Sequence, residues 1–324
     1  MIGMHLLLFA TGVSMLAPQV LTRAGWAYRS PTLGIAAWYA TLVAVLSAVG
    51  VAFVSWVAPW QGADAPVCML WRWCVQAAAG GYGLAGRLVA FVAAMVGAAM
   101  AARLVVTTVR VVRAASTRRD RHLQMLTLAG RVSAELDATV VEHPQPAAYV
   151  VSGSTRRVVV TTGAIDVLAG PELAAVLAHE RAHAAGRHDL LLDGVRLLEK
   201  AFPRVGLFTA ARSELCRLVE LRADEVATVH HAPISLARAM VTMATAASTA
   251  RTAPASPMLA GALSATGGDA MERLHRLLTP PMPLPGVHRA MIGAGAAALA
   301  FGPAVFVVAA LVLPWLVACP PLMS

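Results

Sequence analysis

The stretch "AVLAHERAHAAGRHD" runs from Ala175 to Asp189 and spells H-E-x-x-H with His179, Glu180 and His183. It is entered through Gly170-Pro171, with proline at a first turn, and left at Gly186, so its Ala- and Leu-rich composition predicts a helix. On that helix His179 and His183 stand one turn apart on one face. Two imidazoles at this spacing can take neighbouring tetrahedral positions on one Zn²⁺. Glu180 projects beside them, near enough to meet a metal-bound water without binding the metal. Zn²⁺ lowers the pKa of such a water, and Glu180 can take its proton as general base. Alone, the five-residue pattern also arises by chance in a helix rich in Ala and His.

Two histidines do not complete a catalytic zinc site; a third protein ligand is needed. "VELRADEVA", Val219 to Ala227, places Glu220 and Asp224 at i and i+4 of another predicted helix. Glu220 is the natural third ligand. Asp224, one turn later on the same face, can accept a hydrogen bond from the far nitrogen of a ligating histidine and so fix its tautomer. Together the two patterns are far more specific than either alone. His188 follows the end of the first helix and reads as a solvated cap neighbour. His230 and His231 close the second and read as C-terminal capping groups, with an oxyanion or substrate contact as the alternative.

The surrounding chain is apolar. Of 324 residues 58% are hydrophobic and 13% charged, against about 25% charged in a soluble domain. Four segments are long enough to cross a bilayer, where about 20 residues are needed: Ile2–Leu21, Leu33–Trp60, Leu88–Val109 and Met291–Ala318. The first lacks a basic n-region and a small-residue cleavage site, so it reads as a retained helix. Arg103 lies inside the third, where it must snorkel or face other helices. The formal charge is +9, and its distribution gives an orientation. Arg23 and Arg29 mark the first loop, and Arg110, Arg113, Arg118, Arg119 and Arg121 follow the third span. Both regions are therefore expected in the cytoplasm, with the N-terminus, the loop from Gln61 to Arg87 and the C-terminal tail outside. This basic cluster reads as a topology signal, so no direct nucleic acid binding is expected. Cys68, Cys74 and Cys319 fall in the outer segments, where a Cys68–Cys74 disulfide is permitted. Cys216 reads as a small, buried apolar residue.

Apart from Asp64, every acidic residue lies between Asp120 and Glu272. That charged middle has room for one compact domain. "QMLTLAGRVSAEL", Gln124 to Leu136, carries helical spacing. β-rich runs follow at Thr139–Val141, Ala148–Val151 and Arg157–Thr162, with "SGSTRR" as a turn signal between the last two. "RRVVVTT" could be an edge strand that receives an extended substrate. "HDLLLDGVRLLEKAF" predicts an amphipathic helix, Ser213 an N-cap for the Glu220 helix, and "ISLARAMVTMATAAS" a further helix. Thr249–Thr266 reads as a flexible loop and "PPMPLPG" as a stiff linker.

With these residues in view, "RVVVTTGAIDVLAGPELAAVLAHERAHAAGRHD" followed by "ELRADEVA" resembles the zinc-peptidase domain of the BlaR/MecR-type integral membrane metallopeptidases, to which the Oma/HtpX/CAAX-protease group is a close relative. The resemblance covers Tyr149 to about Thr228 and the four-span layout in outline. It implies a gluzincin-type site with one Zn²⁺ per chain, His179, His183 and Glu220 as ligands, Glu180 as catalytic base and Asp224 as the supporting acid. It also implies a cytoplasmic endopeptidase acting in signal transduction as an antirepressor, on a winged-helix repressor of the BlaI/MecI type. HtpX-type proteases place membrane helices between H-E-x-x-H and the third ligand. Here Gly186 to Leu215 holds nine charged residues, which favours the BlaR/MecR arrangement. The sequence ends at Ser324, so the penicillin-binding sensor domain that follows the fourth span in BlaR/MecR proteins is not expected.

The expectation is thus a mainly α, polytopic plasma-membrane protein with four transmembrane helices and a cytoplasmic gluzincin-type α+β zinc-peptidase domain. Residues 1–110 would form three spans with short loops, 111–288 the peptidase, and 289–324 the fourth span and tail. Its partners would be the lipid bilayer, a protein or peptide substrate and, as a candidate homodimer, a second copy. Two other functions fit the same residues: an HtpX-like quality-control protease and a non-catalytic signalling scaffold.

Overall fold

The computed structural model describes residues 2–57, 84–151, 156–249 and 267–318. The Cys68–Cys74 pairing, the outer loop, the central residues of the "SGSTRR" turn, the 250–266 loop and the tail with Cys319 lie outside the described residues.

Four helices are long and apolar enough to cross a membrane: α1 (Ile2–Leu21), α3 (Pro31–Val57), α4 (Leu84–Ala129) and α11 (Gly286–Ala318). A five-residue helix, α2 (Gly25–Arg29), joins the first two. α3 is the central one. Ala44, Ala48 and Ala52 recur every fourth residue along it and are fully buried, so neighbouring backbones can approach closely. On the outer faces Leu8, Leu16, Phe91 and Phe301 are exposed. Apolar faces of that extent need lipid or protein to cover them. α4 is 46 residues long, about 70 Å at 1.5 Å per residue, so it outreaches a bilayer core of about 30 Å.

Gln124–Leu136 does not continue as a helix. α4 ends at Ala129, and Gly130–Ser133 is strand β1. A Cβ at residue 130 would stand 2.5 Å from Leu126 O and 2.7 Å from Thr139 Cγ2, so a glycine is required at this corner. Pairing with β2 (Ala138–Val141) then overrides the helical period, through a turn in which Asp137 takes φ 45°. β3 (Ala148–Val151) and β4 (Arg157–Thr161) pair antiparallel, and β4 runs parallel to β2. The order is β1-β2-β4-β3. "RRVVVTT" is therefore not an edge strand: β4 is hydrogen-bonded on both sides, which agrees with Val158, Val159 and Val160 all being buried.

Thr161 turns the chain into the short helix α5 (Thr162–Val167). Its hydroxyl accepts from Ala164 N at 3.2 Å, an N-cap bond. α6 (Gly170–Ala185) follows, with Glu172 reaching back to accept from Ala169 N at 3.2 Å. Then come α7 (His188–Ala201), α8 (Gly206–Ala227), α9 (Pro233–Thr249) and α10 (Gly267–Leu278). Ser213 caps nothing. α8 begins seven residues earlier, at Gly206, because Leu207, Phe208 and Ala211 continue its buried face.

Two apolar cores meet at α6 and α8. One holds Val158, Val160, Leu173, Val176 and Leu236, from the sheet, α6 and α9. The other holds Trp38, Leu42 and Val45 of α3 with Leu207, Phe208, Leu215 and Leu218 of α8. The helix that carries Glu220 thus lies along an apolar, span-length helix. Two more ties fix this arrangement. Tyr39 donates its hydroxyl proton to Leu191 O, and Arg103 donates from Nε to Ala201 O at the end of α7. Arg103 faces protein, with its cation at a helix C-terminus, where the carbonyls favour positive charge.

Candidate metal centre

α6 and α8 pack side by side and bring three ligand atoms into one cluster. His179 Nε2 and His183 Nε2 are 3.0 Å apart, and each is 3.5 Å from a carboxylate oxygen of Glu220. A tetrahedral ion with bonds of about 2.0–2.1 Å would space its ligand atoms by roughly 3.3 Å. The donor set of two imidazoles and one carboxylate, at these spacings, fits a single Zn²⁺. Among the described residues these are the three that could hold a metal.

The charges agree. Glu180, Glu220 and Asp224 offer three carboxylates, and Arg273 of α10 is the cation placed among them, 2.8 Å from Glu220 and 2.7 Å from Asp224. With neutral histidines, a divalent cation would complete the balance. Burial disfavours charge on His179, yet Asp224 and Glu220 outweigh it and lift its pKa to about 9. Burial holds His183 down at about 4. Burial would raise Glu220, but His179 and Arg273 bring it to about 2, and Asp224 is likewise depressed, chiefly by Arg273. Glu180 moves the other way: burial and the nearby Glu220 outweigh His179 and Arg273 and lift it to about 7. A carboxyl poised there can exchange a proton near neutrality.

Asp224 is 1% exposed and its Oδ1 lies 2.9 Å from His179 Nδ1, though off the axis of the ring N–H. Both its oxygens are taken by Arg273, at 2.8 Å from Nε and 2.7 Å from Nη2. The acid therefore supports His179 while being held by an arginine 49 residues further on. Spacing alone gives no sign of this residue, because a pair 49 residues apart lies beyond the reach of any helical period. α10 is tied down elsewhere too. Arg217 joins Glu214 and Glu272, and Arg276 joins Glu225 and Tyr28 O.

His188 corrects an expectation. It is 5% exposed, not solvated, and its Nδ1 is 3.0 Å from His183 Nδ1. Its ring stands edge-on to that of His183, with centroids 4.9 Å apart. His230 is exposed and His231 half-buried, both beyond the end of α8 at Ala227; neither joins the cluster.

The arrangement can hold a divalent metal and place one carboxyl of raised pKa beside it. The chain has no significant match among curated proteins or solved structures. Over residues 113–201, which take in His179, Glu180 and His183 but stop short of Glu220, Asp224 and Arg273, the chain matches the family model of Peptidase family M48.

Proposed function

We propose that this chain is a membrane-bound, zinc-dependent endopeptidase whose active site opens to the cytoplasm and cleaves a regulatory protein, such as a winged-helix repressor of the BlaI/MecI type. The observation that carries the enzymatic part is the meeting of His179 Nε2, His183 Nε2 and a Glu220 oxygen, with Glu180 beside them. Bound Zn²⁺ supplies Lewis acidity, polarising a peptide carbonyl and acidifying water. Glu180 takes the proton from the attacking water and hands it to the departing amine. Arg273 keeps Glu220 and Asp224 ionised through both transfers. The orientation rests on the arginines of the first loop and of the stretch from Arg110 to Arg121.

A second substrate class has an observation of its own. Because α8 lies along α3, with Leu218 against Gly34, the centre hangs close to the apolar helices. A quality-control protease that cuts membrane-bound chains would need such a site.

The test uses the full chain in detergent or nanodiscs. Wild type should bind about one Zn²⁺ and cleave, and Glu180→Ala should keep the metal and lose cleavage. Equal proteolysis by both proteins would defeat the enzyme reading and favour a scaffold. Co-expression with a candidate repressor, or with a misfolded membrane protein, then separates the two substrate classes.

A further inference from the structure

The centre has two imidazole ligands, and Asp224 stands behind only one of them. The other, His183, has its Nδ1 turned towards the corner between α6 and α7. We infer that His188 is the positioning residue for His183, its Nδ1 accepting the His183 Nδ1–H so that Nε2 is left facing the metal. The inference rests on the metallopeptidase reading of the site.

Three features show a corner built around this contact. The His188 ring is buried and edge-on to His183, with nitrogen atoms 3.0 Å apart. At Gly186 a Cβ would lie 2.3 Å from His188 Nε2 and 2.6 Å from its Cδ2, so any other residue there would push the ring away. Between them Arg187 takes the left-handed conformation, φ 49° and ψ 40°, which a non-glycine residue adopts only where the surroundings enforce it. The helix therefore stops, reverses and delivers a histidine beneath its own metal-ligating face, at the first residue of α7.

The chemistry is consistent. A ligating imidazole that presents Nε2 carries its proton on Nδ1, and an acceptor there fixes both tautomer and ring angle. Asp224 faces Nδ1 of His179; a neutral imidazole does the same for His183. A carboxylate in both places would add a further negative charge to a cluster that already holds three.

The test is Zn²⁺ affinity by chelator competition, with the visible spectrum of the Co²⁺ form, on the full chain. His188→Leu fills the space without an acceptor and should weaken Zn²⁺ binding by roughly 10–100-fold and shift the Co²⁺ bands. His188→Asn keeps an amide oxygen near the place of Nδ1 and should recover most of both. Gly186→Ala displaces the ring without touching it chemically. It should reproduce the loss of His188→Leu, and the double variant should lose no more than either. Equal binding by the Leu and Asn variants, whether strong or weak, overturns the inference, and so does wild-type affinity in Gly186→Ala. A wild-type chain that takes up no Zn²⁺ instead overturns the metallopeptidase reading beneath it.

Discussion

Arg273 holds both oxygens of Asp224, through Nε at 2.8 Å and Nη2 at 2.7 Å, and its remaining nitrogen, Nη1, lies 2.8 Å from Glu220. One guanidinium thus serves a metal ligand and the acid behind another. Its planar fork matches two carboxylates in fixed directions, which an ammonium does not do. Removing it leaves Asp224 ionised and buried with His179 alone beside it, a loss of about 3–5 kcal/mol for a broken buried pair. Arg273→Met should lower the apparent melting temperature of the zinc-free protein, and Arg273→Lys should recover little. Adding Asp224→Asn to Arg273→Met should give back part of the loss, since the stranded charge is gone. A Met variant that melts with wild type would show that the pair carries no weight.

Glu180 should behave in the opposite way. Its folded pKa is raised to about 7 by burial and Glu220, above the usual value of about 4.3. Between these pH values the folded protein retains a proton that the unfolded chain has released, so this group costs stability as pH rises from about 4 to 7. The full cost is present above pH 7 and absent in acid. Glu180→Gln should therefore stabilise the zinc-free protein at pH 8, by about 3–4 kcal/mol at one pKa unit per 1.36 kcal/mol, and leave it unchanged near pH 4. The same variant should lose proteolysis. Thermal unfolding in detergent at both pH values checks the sign; a destabilised variant at pH 8 would contradict it.

The parts of this centre that sequence reveals are those whose spacing is local. His179 and His183 share a helix, as do Glu220 and Asp224, so the 3.6-residue period places each pair. The apolar helices announce themselves by length. What stays hidden depends on distant partners. β1 forms from a segment with helical spacing because β2 supplies its hydrogen bonds. Ser213 looks like a cap because the buried Leu207 and Phe208 that extend α8 find their partners on α3, far away in the chain. Arg273 reaches Asp224 across 49 residues. His188 is hidden for another reason: its burial depends on Arg187 entering the left-handed region, which no arginine advertises.

Metal binding should be visible as stability. Zn²⁺ at 100 times its dissociation constant should add about 2.7 kcal/mol to the folded state, and chelation should remove it. Glu220→Gln keeps the shape of the third ligand while removing its charge. It should abolish most of the zinc-dependent rise in melting temperature, while His230→Ala, outside the cluster, should keep it. The comparison, made by thermal unfolding with and without Zn²⁺, fails if the two variants respond alike.

The last prediction concerns the seating of α8 on α3, two residues from Glu220. A Cβ at Gly34 would stand 2.9 Å from Leu218 Cδ1, closer than ordinary contact, and Leu218 is fully buried. Gly34→Ala should overpack this contact, at a cost of about 1–3 kcal/mol. Leu218→Ala should open a cavity at about 2–5 kcal/mol. The two changes are complementary in volume, because the methyl added to α3 enters space that the shortened side chain has vacated. The double variant should therefore be more stable than Leu218→Ala alone, reversing the sign that Gly34→Ala shows in the wild-type background. Zinc affinity should follow the same order, since a shift of α8 carries Glu220 with it. Additive losses in both measurements would mean that α8 does not rest on α3 through this pair.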